Sequence, residues 1–139
     1  MFVDAGVPPR SGEAALVPEA FLDHLREIAV EGRLPKWSEW FGTDAMSALL
    51  PDVALREAIV AELPRLPLSY FKQRVPMPAG WTDEPCSYIL LSAAYRSDAE
   101  EARARGWPTA ELSGNHLDIV TRPLEVADAL LAAAFGSDA

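Results

Sequence analysis

Two strand-length apolar runs separated by a short charged helix constrain this chain more than any other feature. The run CSYILLS (86–92) is rich in aromatic and branched apolar residues and bounded by Pro85. The segment SDAEEARARGW (97–107) follows as a helix, with Ser97 or Asp98 as its cap and Gly106 as its stop. PTAELS (108–113) is a second, weaker strand, and after the loop GNHLD a helix runs from Pro123 through Phe135. Its predicted apolar stripe is Leu124, Ala127, Leu130, Leu131 and Ala134. This β-α-β-loop-α order predicts parallel strands joined by right-handed crossovers in an open α/β sheet.

The rest of the chain has a different texture. Phe2-Val3-Asp4-Ala5 reads as the end of a short buried strand that passes at once into the loop GVPPRSGEAAL. From Pro18 the spacing of Phe21, Leu22, Leu25, Ile28 and Ala29 follows one face of a helix, with Pro18 suited to the first turn and Gly32 to the end. His24 lies beside that stripe and is expected to pack there. Thr43 or Asp44 is the predicted N-cap of a short helix, AMSALL, and Asp52 caps a firmer one through Leu63. Pro64, Pro67, Pro76, Pro78 and Pro85 break up the remainder, so residues 18–85 predict helices and loops without a strand. The 139 residues fit one domain.

Composition narrows the partners. The formal charge is -9 and no Lys/Arg cluster occurs, which argues against nucleic acid and against an anionic membrane surface. No apolar run approaches the roughly 18 residues that cross a bilayer. With no secretory leader visible in MFVDAGVPPR, the cytoplasm is the expected compartment. Two histidines and one cysteine, without H-x-x-x-H or C-x-x-C spacing, give no zinc site, and phosphate-binding glycine motifs are missing. No metal or cofactor is therefore expected. Cys86 is expected to be a small core residue at the start of a strand.

His116 is the candidate for chemistry. In open α/β sheets, ligands bind on the loops that leave the carboxyl ends of the strands, and His116 sits on such a loop. Read alone, it is either a turn residue or a general base. Residues 85–131, from PCSYILLS through GNH to VADALL, resemble the C-terminal end of the α/β-hydrolases, in particular small bacterial esterase-like members. FVDAGVPP is similar to the strand after the nucleophile strand in that family, and residues 10–84 to the helical cap inserted behind it. The fold implied is a partial α/β-hydrolase fold of about three parallel strands with flanking helices. Residues 85–139 would form its closing unit.

The resemblance implies acyl transfer on a small apolar acyl substrate, with a serine nucleophile, a histidine base and an orienting carboxylate. His116 matches the histidine position. The carboxylate position is matched by Asp4, after the first strand, or by Asp98, which comes late after YILLS and also suits a helix cap. Asp118 is expected to tie the loop. The aromatic residues Trp37, Trp40 and Phe41 would line the acyl pocket or, on their own chemistry, pack a core.

The chain departs from the family at the nucleophile. None of its nine serines lies in a G-x-S-x-G elbow, and no upstream oxyanion loop is present. Loss of such donors is typically worth on the order of 3 kcal/mol each in the transition state. The expectation is a truncated hydrolase whose first strand seeks an N-terminal hydrolase half or another copy of itself. The alternative is a non-catalytic binding or oligomerisation module that keeps the fold remnant.

Overall fold

The run CSYILLS becomes the middle of a parallel sheet because it is apolar on both faces. In the computed structural model, which describes residues 1–42 and 44–135, β1 (Phe2–Val3) and β5 (Thr109–Glu111) flank β4 (Tyr88–Leu90) in the order β1-β4-β5. Both pairings are parallel, with Val3 opposite Ile89 and Ile89 opposite Ala110. Successive side chains of a strand point to opposite faces. Tyr88 and Leu90 accordingly pack with Ala99 and Ala102 of α5 (Arg96–Ala104), while Ile89 and Leu91 pack with Val126 of α7 (Pro123–Phe135). A strand covered on both sides reads as a continuous apolar run rather than an alternating one.

The molecule is mixed α/β, and its chain divides into two compact units. One is Met1–Arg10 with Pro78–Ala139; the other is Ser11–Met77. The second unit contains β2 (Glu13–Ala15), α1 (Glu19–Ile28), α2 (Ala45–Leu49), α3 (Val53–Glu62), α4 (Leu68–Phe71) and β3 (Arg74–Pro76). Its core is Leu22, Leu25, Leu34, Trp40 and Leu68. Among the described residues no helix is long and apolar enough to cross a membrane.

Several local expectations are corrected. The region 18–85 does hold a strand: β3 pairs antiparallel with β2, with Pro76 opposite Glu13. A ribbon of three-residue strands is too short to show alternation, and a two-stranded edge tolerates proline. Helix α1 stops at Ile28, ahead of Gly32, which instead takes a positive φ of 75° in the turn where Val30 and Arg33 bridge. Pro18 precedes α1 as its N-cap. Asp52 does cap α3, accepting from Leu55 N at 2.8 Å, whereas Asp44 gives α2 no side-chain cap and Thr43 lies outside the described residues.

Two corrections bear on the sheet unit. Helix α5 begins from Tyr95, after a 3-10 turn over Ala93–Tyr95, so neither Ser97 nor Asp98 is its cap. Helix α7 has the predicted bounds but a different inner face, formed by Val126, Ala129, Leu130 and Ala133. Leu124 and Leu131 are exposed, at 79% and 56%. The helix is apolar nearly all round, so periodicity alone cannot choose its face.

Candidate functional site

The sheet brings together two residues 112 positions apart in the chain. His116 Nδ1 lies 2.8 Å from Asp4 Oδ2, at the ends of the loops that leave β5 and β1. Asp4 is 2% exposed, and its backbone is left-handed, with φ of 43°. Aspartate tolerates that region better than most side chains, yet the conformation still costs about 1 kcal/mol and must be held by its surroundings.

The holding contacts come from the C-terminal end of β4. Asp4 Oδ1 accepts from Leu91 N and Ser92 N, each at 2.9 Å, and Oδ2 accepts from Ser92 Oγ at 2.6 Å. Burial pushes the Asp4 carboxyl up, but the hydrogen bonds from Ser92, His116 and the Leu91 amide outweigh it, and its pKa lies below the ordinary value. Asp4 is thus an anion with four donors around it. The next residue is fixed as well. Tyr88 Oη donates to Ala5 O at 2.8 Å and accepts from Ala5 N at 3.2 Å. Burial pushes the Tyr88 phenol up to about 12, so the proton that makes the first bond stays on.

His116 is held on three sides. The Asp4 contact fixes Nδ1. The Tyr95 ring stacks on the imidazole with centroids 5.2 Å apart and planes 22° from parallel. The loop beneath is tied by Asp118, which accepts from Asn115 N at 2.9 Å and Thr121 Oγ1 at 2.9 Å, and pairs with Arg122. Burial raises the Asp118 carboxyl, but the Arg122 contact and the Asn115 and Thr121 bonds take it below its ordinary value. Gly114 is required here by space: a Cβ on it would stand 1.7 Å from Asp118 Oδ2 and 2.2 Å from Arg122 Nη2. Leu117 N donates to Asn115 Oδ1 at 2.8 Å, closing the turn.

With Nδ1 engaged, Nε2 is the free nitrogen of His116. It has no hydrogen-bond partner among the described residues, and the side chain is 40% exposed. The tautomer that matches this geometry carries its proton on Nδ1, donated to Asp4, and its lone pair on Nε2. That is the arrangement of a general base oriented by a carboxylate. A groove of about 200 Å³ lies beside the same strand ends, lined by Ser92, Ala93, Arg96, Glu111 and Gly114 among others.

The other sequence candidates are placed differently. Asp98 is engaged on the loop after β1, accepting from Val7 N at 2.8 Å, and so is not the partner of His116. Trp40 is buried in the core of the Ser11–Met77 unit, its indole N–H donating to Pro35 O at 3.0 Å. Trp37 packs at the edge of that core, and Phe41 is 54% exposed, stacked on Phe21 and His24. His24 itself packs there, with Nε2 2.8 Å from Trp40 O. Cys86 is half-buried just ahead of β4. Ser92 and Tyr95 were not singled out in the sequence. Only the place of Ser92 at the end of the apolar run and of Tyr95 just ahead of α5 could have marked them.

No protein-family model, no curated protein and no solved structure matches this chain.

Proposed function

We propose that this chain carries the histidine–carboxylate part of an acyl-transfer site resembling that of the α/β-hydrolases, acting on carboxylic esters of small apolar acyl groups. The observation that carries the reading is the 2.8 Å contact between His116 Nδ1 and the buried Asp4 carboxylate, with Nε2 left open. In this role His116 takes the proton of an attacking hydroxyl at Nε2 and returns it to the leaving group. Asp4 holds the tautomer and stabilises the imidazolium while it exists.

None of the serines in these 139 residues stands in a G-x-S-x-G elbow, so the reading calls for a nucleophile other than an elbow serine of this sequence. Among the described residues Ser92 is the serine whose side chain bonds to the pair, but its hydroxyl donates to Asp4 Oδ2, the oxygen that meets His116 Nδ1, and not to Nε2. The test is fluorophosphonate labelling, which marks serines activated by an adjacent imidazole, applied to the tagged protein expressed from its own locus. A label on a serine, on this or an associated chain, that is lost in His116→Ala supports the proposal. An absent label, or one indifferent to that substitution, overturns it.

A further inference from the structure

The oxygen of Asp4 that meets His116 is shared. Ser92 Oγ lies 2.6 Å and His116 Nδ1 2.8 Å from the same atom, Oδ2, while the two backbone amides occupy Oδ1. The two oxygens are therefore not equivalent. Oδ1 is held by main chain that no side-chain substitution removes, so the carboxylate keeps its orientation whatever residue stands at 92. Oδ2 divides its acceptor capacity between a hydroxyl and an imidazole.

A shared oxygen weakens each of its bonds, since a donor draws charge from the acceptor and leaves less for the second. For a base this matters. A buried carboxylate alone against an imidazole favours the imidazolium, which has no lone pair and cannot accept a proton. A hydroxyl on the same oxygen draws off part of that pull.

We propose that Ser92 is a positioning residue of the His116–Asp4 pair, one that moderates the hold of Asp4 on His116 and keeps the imidazole available as a base. The inference rests on the acyl-transfer reading of that pair. The ionisable groups on the neighbouring elements are otherwise committed: Tyr88 to Ala5, Asp98 to Val7, Asp118 to Arg122, and Arg96 to Glu111. Tyr95 meets His116 through its ring face. Ser92 is thus the one side chain, His116 apart, with a hydrogen bond to Asp4 among the described residues.

The test uses the whole chain and diethyl pyrocarbonate, which reacts with neutral imidazole. Its rate at His116, followed peptide by peptide against pH, gives the pH at which half of the imidazole is free. Ser92→Ala should move that pH upward by about half a unit to one unit, a roughly three- to tenfold gain in proton affinity. Ser92→Thr, which keeps the hydroxyl, should restore it, and Ser92→Cys, a weaker donor that fills the same space, should fall between. His24, on a different hydrogen bond, should not move. Asp4→Asn should move His116 in the opposite direction. No shift or a downward shift in Ser92→Ala and Ser92→Cys, with Asp4→Asn still effective, overturns the role of Ser92 alone. If Asp4→Asn has no effect either, the pair itself is not coupled and the acyl-transfer reading falls with it.

Discussion

Tyr95 lies nearly flat against His116, its ring centroid 5.2 Å from the imidazole. The contact closes one face of the imidazole and restricts rotation of its ring, while the Asp4 bond fixes the edge. The Tyr95 hydroxyl makes no hydrogen bond among the described residues, so the ring and not the oxygen does the holding. Tyr95→Phe should therefore leave stability within about 0.5 kcal/mol, as for a substitution that breaks no contact. Tyr95→Ala should cost about 1 kcal/mol for the aromatic pair and more for the lost burial against Tyr88 and Leu90. Urea unfolding midpoints check both. The same loss of the stack should broaden the His116 ring signals in NMR spectra, which a purely structural loss elsewhere would not do.

Acid sensitivity follows from the two buried carboxylates. Asp4 and Asp118 both have folded-state pKa values lowered from the ordinary one, so each prefers to be charged when the protein is folded. A depressed value contributes stability that is fully present above the unfolded value, near 3.9, and is lost as pH falls through the folded value. Unfolding free energy should hold level from neutral pH to about pH 5 and then decline. Asp4→Asn should flatten part of that decline, Asp118→Asn another part, and the two should add, because they share no hydrogen-bond partner. At neutral pH Asp4→Asn should itself cost about 2 kcal/mol, since its amide cannot accept every donor now aimed at the carboxylate. Chemical denaturation across pH 3–7 measures all of these, and a decline unchanged in the double variant would show that other groups cause it.

Gly114 offers a sharper test of the loop. A methyl group at that position would stand 1.7 Å from the Asp118 carboxylate, so Gly114→Ala must push Asp118 or Arg122 aside. The expected cost is about 2 kcal/mol, with displacement of His116 two residues on. In an Asp118→Ala background the obstruction is smaller, and the same substitution should cost less than half as much. A double-mutant cycle on unfolding free energy reads this coupling directly. Equal cost in both backgrounds would place the strain in the backbone instead.

The sheet was readable in the sequence because β4 is buried on both faces and has no option but to be apolar throughout. Asp4 and His116 were readable as candidates because Asp4 directly follows β1 and His116 lies on the loop that leaves β5, where parallel sheets present their loops. Their contact was not, since Asp98 has the same charge and only its bond to Val7 N removes it from contention. Ser92 and Tyr95 carry no motif; they matter through β-strand register and the start of α5, which decide where a side chain points. The ribbon of β2 and β3 escaped because three residues carry no period. The inner face of α7 escaped for the opposite reason, having apolar residues on every side.

The aromatic residues of the Ser11–Met77 unit separate core from pocket. Trp40 is 6% exposed and packed among Leu22, Leu25, Leu34 and Leu68, whereas Phe41 is 54% exposed. Trp40→Ala should cost about 3–5 kcal/mol, the usual toll of a large cavity, and leave an indole-sized void that Trp40→Phe partly fills. Phe41→Ala should cost below about 1 kcal/mol, since its stack on Phe21 and His24 is open to solvent. Urea unfolding again gives the numbers. Equal, small costs at both positions would mean that Trp40 contributes little to the core and is held in place for another purpose.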